Sequence, residues 1–348
     1  MAAGPETISI LTLAAAAFLA AMAAEPAVYG LLMRLKLGKR IRPEASAPVF
    51  SRFHAAKSGT PTMGGILVWG TVLALAFLLS LAANIFRAEP WLSLNFLSRR
   101  ETLLPIGAMF FAAMVGLFDD YLNVRQIGPN GGGLRMRHRL VSYALIAAVC
   151  AWWFYAKLEW DVLRVPFLGT FDIGPWMLPL SFLAIIATAF SVNEIDGLDG
   201  LAGGTLLLAF AAYGGIAFIQ GRHDLSALCA VIVGALLAFL WFNIWPAKFF
   251  MGDTGAMSLG VTLAVVAMLT NTILLLPVIG LLFVVESASV IIQVVSKKLR
   301  GRKVFLSAPI HHHFQAIGWA EPTVVMRFWV VSAVSAVVGL VIALLDRI

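Results

Sequence analysis

The sequence predicts an all-α polytopic membrane protein with about ten transmembrane helices, and three observations predict it. Of its 348 residues 61% are hydrophobic and only 12% are charged, against about 25% charged in a soluble domain. Mean hydropathy is +0.92. The apolar residues also gather in runs close to the roughly 20 residues that carry a helix across a hydrocarbon core. These runs use most of the chain, so residues 1–348 read as a single membrane domain with no room for a separate soluble one.

The first run, 8–33, contains "LAAAAFLAAMAA". It has no Lys or Arg before it and continues to Leu32, past the roughly 7–15 residues of a cleavable signal core, so it reads as a retained helix. A basic loop then ends in "KSGTPTMGG" at 57–65, where Thr60 and Pro61 suit a helix start. The second run is 62–83 and the third is 102–118, running into "GLFDDY" at 116–121. Runs 140–157 and 176–192 follow, the latter leading to "NEIDGLDG" at 193–200. Next come 201–219 and 226–242, then "FFMGDTGAMSLG" at 249–260, which opens the run 256–270. The last two, 272–296 and 325–345, flank "APIHHHFQAIGW" at 308–319. Cys150 and Cys229 fall inside runs as small apolar residues, with no disulfide or metal-binding spacing.

Charge orients the runs. Eighteen Lys and Arg lie in one alternating set of loops: Arg34, Lys36, Lys39, Arg40, Arg42, Arg52 and Lys57, then the 125–139 loop, Lys248, the 297–303 loop and Arg327. The other loops carry seven. The positive-inside rule puts the richer set in the cytoplasm, and an even number of spans then leaves both termini outside. The net charge of +7 is explained mostly by this asymmetry and by anionic lipid. The cations are spread over separate short loops without a stacking or groove-reading motif, which excludes a nucleic-acid role. Some remain available for a phosphate-bearing substrate.

The acids fall on the same, cytoplasmic side. A single Asp at a helix end can simply cap it, but adjacent Asp119 and Asp120 repel each other near a negative helix pole. Something positive should compensate them. Mg²⁺ fits, because it takes oxygen ligands from one or two carboxylates together with substrate phosphates; no spacing for zinc or calcium is present. "GDTG" at 252–255 and "DGLDGLAGG" at 196–204 place glycine just before a helix, as phosphate-binding helix starts do. For Gly203 and Gly204 close helix packing is an equal reading. Imidazoles of His311, His312 and His313 suit hydrogen bonds to phosphate, or proton transfer, better than a shared metal ion. The residues alone therefore give a membrane enzyme with an Mg²⁺-phosphate site on its cytoplasmic face, working by positioning and charge neutralisation.

Taken in order, "TPTMGG", "DDY", "NEIDGLDGLAGG", "WFNIWPAKFFMGDTGAMSLG" and "PIHHHFQAIGWAEPTVVMRFW" resemble the polyprenyl-phosphate N-acetylhexosamine-1-phosphate transferases, and among them the phospho-N-acetylmuramoyl-pentapeptide transferases. The resemblance runs from Lys57 to the C-terminus. It implies ten spans, a cytoplasmic active site in the bacterial inner membrane, and Mg²⁺-dependent transfer of phospho-MurNAc-pentapeptide from UDP to undecaprenyl phosphate, giving lipid I and UMP. It further implies a homodimer. By position, Asp253 matches the Mg²⁺ ligand and Asp119 the acid that deprotonates the lipid phosphate. Asp120, Asn193, Asp196 and Asp199 match the other polar site positions; Asn243 and Phe250 match nucleotide-holding ones, the ring stacking on uracil. His311 and His312 match functional histidines, Glu286 a further acid, and Lys57 and Arg139 cations at the substrate. Glu194 and Ile195 stand where the family usually has Leu-Thr, Asn123 where Lys is frequent, and Arg139 where Lys is common; Arg grips phosphate as a fork rather than a point. The rival readings are a transferase of N-acetylglucosamine-1-phosphate and, from another class, a proton-coupled transporter, whose acids would lie near the midplane rather than at one surface.

Overall fold

The computed structural model describes residues 4–38, 57–98, 101–128 and 132–346. Among them nine helices are long and apolar enough to span a membrane, and a bent pair makes a tenth. Lys39, Arg40, Arg42, Arg52, Arg99, Arg100 and Arg347, counted in the charge asymmetry, lie outside the described residues. The long helices are α1 (Pro5–Arg34), α2 (Gly65–Phe86), α3 (Leu103–Val124), α4 (Met136–Trp152, prolonged by a π turn to Lys157), α5 (Met177–Ile195), α6 (Leu201–Ile219), α7 (His223–Asn243), α8 (Gly252–Leu269), α9 (Leu281–Arg300) and α11 (Glu321–Leu345); the short α10 spans Ile310–Ala316.

α8 is the axis of the bundle. Nearly all its residues are buried, and it packs against α3, α5 and α2. Small residues permit the close approach on which membrane helix packing depends. A Cβ on Gly116 of α3 would lie 2.5 Å from the Asp253 carbonyl oxygen, and one on Gly65 of α2 would lie 2.3 Å from Gly255 Cα. Buried hydroxyls on α8 bond back along the helix, Ser258 to the Thr254 carbonyl at 2.7 Å and Thr262 to the Ser258 carbonyl at 2.7 Å, which satisfies them inside the core. Around this axis α1 packs on α7, α7 on α6, α6 on α11, and α4 and α9 on α5.

Three expectations change. The "TPTMGG" segment does not begin a helix at Thr60–Pro61; α2 starts at Gly65, because the intervening backbone is bonded elsewhere. Thr62 N–H donates to the Leu37 carbonyl at 3.0 Å, Phe250 N–H to the Pro61 carbonyl at 2.8 Å, and Gly64 N–H to the Phe250 carbonyl at 2.7 Å. The ninth run, expected as one helix over 272–296, is broken: Ile273–Ile279 and α9 meet at 81°. Pro277 and Gly280 both oppose continuation. Past the bend α9 is inverted, with Glu286, Ser289, Gln293 and Ser296 buried and Ile291, Val294, Val295 and Leu299 exposed, as suits a helix whose outer face meets lipid. Finally, a two-stranded hairpin, β1 (Val162–Val165) with β2 (Gly169–Asp172), fills the α4–α5 connection. Arg164 ion-pairs with Asp346 beyond α11, which also accepts the Phe167 N–H at 2.7 Å.

Candidate active site

Four helix ends meet at one end of the bundle: the C-terminal turns of α3 and α5, and the N-terminal turns of α4 and α8. α3 continues through Val124, so Asp119 and Asp120 lie within its last turns rather than after them. Both are buried. Their compensation comes from two different donors. Asp119 Oδ2 lies 2.6 Å from Arg139 Nη2 and its Oδ1 accepts the Leu134 N–H at 2.6 Å. Asp120 Oδ2 accepts the Thr254 N–H at 3.0 Å, in the first turn of α8, where a carboxylate meets both an orphan donor and the positive helix pole.

Arg139 is the hub. The same Nη2 lies 2.7 Å from Asp253 Oδ2, and Nη1 reaches the Asn193 amide oxygen at 3.3 Å. Asn193 donates in turn to Asp253 Oδ1 at 2.7 Å. Gly252, at φ +74°, turns the chain into α8 immediately before Asp253. A side chain there would meet Asp120 Oδ2 at 2.6 Å and Thr62 Oγ1 at 2.8 Å. Beside this network is a cavity of about 60 Å³ lined by Thr62, Asp120, Asn123, Val124, Asn193, Asp196, Gly252 and Asp253. Apart from Val124 and Gly252 its lining is polar, and its side-chain acceptors are oxygens. No cluster of three His, Cys, Asp or Glu at metal-binding distance occurs among the described residues. An oxygen-only wall with few carboxylates suits Mg²⁺, which keeps waters and shares itself with phosphate, and does not suit zinc.

A second cluster holds Lys57. Its Nζ lies 2.6 Å from Asp199 Oδ1 and 2.5 Å from Glu321 Oε1, all three side chains being nearly buried, and 5.9 Å from the centre of the Phe250 ring. Asp199 Oδ2 accepts the Ala247 N–H at 3.0 Å and Glu321 Oε1 the Asp199 N–H at 2.8 Å. Asn243 is a staple between two segments of the chain, accepting the Gly200 N–H at 3.0 Å and donating to the Phe249 carbonyl at 2.8 Å. The loop from Asp196 to Gly200 thus joins the acid network to the Lys57 cluster.

The histidines form a third group on α10. His311 is wholly buried, with Nδ1 3.0 Å from Glu286 Oε1, its ring 4.1 Å from that of His312, and its Nε2 against Gly197. Burial pushes its imidazole from the usual 6.5 down to about 3, since a charged ring loses its hydration there. His312 Nδ1 pairs with Gln315 Oε1 at 2.9 Å.

Of the residues expected from the sequence, Asp119, Asp120, Arg139, Asn193, Asp196 and Asp253 come together at the α8 N-terminus. Lys57, Asp199, Asn243 and Phe250 gather around the Gly200 and Ala247 turns, and His311 and His312 pack behind the Asp196–Gly200 loop. Asp119 does not line the cavity; Asp120 does. Glu321 was missed: it stands at the start of an apolar helix, where an acid reads as a dipole partner, and nothing local reveals Lys57, 264 residues away. Tyr143 was also missed. It follows Arg139 by one helical turn, its ring is buried, and its hydroxyl has no hydrogen-bond partner among the described residues.

The profile of Glycosyl transferase family 4 matches residues 102–271, and the phospho-N-acetylmuramoyl-pentapeptide-transferase signature 1 matches residues 57–67. The chain is 40% identical over 348 residues to the phospho-N-acetylmuramoyl-pentapeptide-transferase of Chloroflexus aurantiacus, covering 96% of this chain and 89% of that one. It is 37% identical over 341 residues to that of Geobacillus thermodenitrificans (97% and 98% covered). To that of Rubrobacter xylanophilus it is 37% identical over 338 residues (95% and 96% covered).

Proposed function

The chain belongs to the phospho-N-acetylmuramoyl-pentapeptide-transferase family, and on that premise we propose that its acid cluster is where phospho-MurNAc-pentapeptide passes from UDP to undecaprenyl phosphate. The protein is a multi-pass membrane transferase that moves phospho-MurNAc-pentapeptide to a lipid carrier in peptidoglycan synthesis. The products of the proposed reaction are lipid I and UMP. The positive-inside count supports a cytoplasmic face for the cluster, and the family supports the bacterial inner membrane. The observation that carries the assignment is the cavity at the α8 N-terminus, walled by Asp120, Asn193, Asp196 and Asp253.

Its residues fit a transfer between phosphates. Asp253 would hold Mg²⁺, with Asp120 and Asp196 on the same wall for its coordinated waters. The ion would neutralise charge on the pyrophosphate. Arg139, linked to both Asp119 and Asp253, is the fork available to phosphate oxygens, and the first N–H groups of α8 add their dipole. Lys57 and the Phe250 ring, with the turn stapled by Asn243, form the nucleotide side. In the direct route a lipid-phosphate oxygen bonds to the β-phosphorus while its bond to the bridging oxygen breaks, and UMP leaves with the electron pair. Asp119 takes the proton of the lipid phosphate only when Arg139 moves off Oδ2, whereas Asp120 already faces the cavity. His311, neutral and buried, supports the Asp196–Gly200 loop from behind. A covalent aspartyl-phosphate route is the alternative, and exchange of labelled UMP without lipid acceptor distinguishes it.

The test is UMP release from purified protein with Mg²⁺ and undecaprenyl phosphate, comparing UDP-MurNAc-pentapeptide with UDP-GlcNAc and including Asp253→Ala. Release only with the pentapeptide substrate, lost in the variant, is expected. Release with UDP-GlcNAc would move the protein to the sister reaction, and an active Asp253→Ala would remove the metal-ligand role.

A further inference from the structure

Asp253, which lines the cavity, already has a cation seated on its carboxylate. Oδ1 accepts from Asn193 at 2.7 Å, and Oδ2 faces Arg139 Nη2, also at 2.7 Å. A divalent cation binding Asp253 meets the charge of the one and the hydrogen bond of the other. The guanidinium is the stronger competitor, because it carries a full positive charge and holds Asp119 at 2.6 Å through the same nitrogen. One cation lying between two carboxylates does the work of a metal ion. A second observation bears on where the side chain goes when released. Arg139 Nε and the Tyr143 hydroxyl, a helical turn apart on α4, are both buried and lack hydrogen-bond partners among the described residues. Two orphan donors next to an acid network are costly, and an anion carries the acceptors they lack.

We propose that Arg139 is a resident counter-cation that a divalent ion displaces: the ion takes over Asp253, and the released guanidinium, with the Tyr143 hydroxyl beside it, becomes the grip on a phosphate oxygen. This inference rests on the metal reading of Asp253. It gives the arginine at this position a role that a lysine fills less well, since Nη2 alone lies between the two carboxylates while Nη1 reaches Asn193 and Nε stays in reserve, donors that a lysine's single nitrogen lacks. Binding of metal and of nucleotide is then linked: each favours the position of Arg139 that the other needs.

Mn²⁺ is the probe, its free and bound forms counted by electron paramagnetic resonance on the full chain in lipid nanodiscs without nucleotide. Arg139→Met, which removes the competing charge, is expected to bind Mn²⁺ at least about tenfold more tightly than the unaltered protein. Arg139→Lys should bind with an intermediate affinity, and it supplies the comparison where the methionine variant does not fold. Asp253→Asn should abolish the binding in every background. If Mn²⁺ binds through Asp253 but both Arg139 variants bind it no more tightly than the unaltered protein, the counter-cation role is overturned and the metal site stands. If no binding depends on Asp253, both fall together.

Discussion

Replacing Lys57 by Met leaves Asp199 and Glu321 facing each other without the cation between them. The side chains are 14%, 3% and 8% exposed for Lys57, Asp199 and Glu321, so water does little to screen the two carboxylates. Each keeps a backbone donor, from Ala247 N–H at 3.0 Å and Asp199 N–H at 2.8 Å, and each loses a charge-assisted bond. Breaking a buried pair by removing one partner costs about 3–5 kcal/mol, much of it the uncompensated charge left behind. The double variant Lys57→Met with Glu321→Gln returns the triad to its original net charge of one negative unit, and should regain about 1–3 kcal/mol. The assay is a double-mutant cycle on detergent-solubilised protein, read by SDS-induced unfolding. UMP release is followed in parallel, because the Ala247 N–H bond ties this triad to the loop carrying Phe250. Destabilisations that simply add would show that Lys57 and Glu321 act independently and would refute the argument.

Gly252→Ala forces a left-handed backbone at φ +74° on a residue with a Cβ, which would lie 2.6 Å from Asp120 Oδ2. About 1–2 kcal/mol of backbone cost is expected, together with a fall in UMP release of more than about tenfold as Asp253 shifts relative to Asp120; unchanged kinetics would contradict the assigned geometry. His311 concerns pH. Its folded value, about 3, is below the 6.5 of an open chain, so between these values the unfolded state binds the extra proton. The contribution of His311 to stability is therefore level above 6.5 and declines as pH falls toward 3, by at most about 1.4 kcal/mol per pH unit. The neighbouring Glu286, 3.0 Å away, and His312 are the groups able to blunt that slope. Thermal unfolding at pH 7 and pH 5 should show the decline in the unaltered protein and a shallower one in His311→Asn; equal slopes would place the titration elsewhere.

The sequence by itself determined the class of protein, the number of membrane runs and the residue types of the site. Those properties are local: apolar length settles a span, and Asp119, Asp120, Asn193, Asp196 and Asp253 each advertise themselves as polar groups at the edge of an apolar run. Gly252 was legible for the same reason, as glycine beside an acid at a helix start. Only the tertiary structure decided which partner each acid has. Asp119 is answered by Arg139, Asp120 by the first turn of α8, and both Asp199 and Glu321 by Lys57, the last of these contacts made across 264 residues of chain. The bend at Gly280 had a local signal in Pro277 and Gly280, which a hydropathy run does not register. The strap joining Pro61 to Phe250 and the orphan Tyr143 hydroxyl were hidden for a different reason: a run records how much apolar surface a segment has to bury, while a strap or an ion pair depends on what packs against that segment, and the packing exists only once the helices have met.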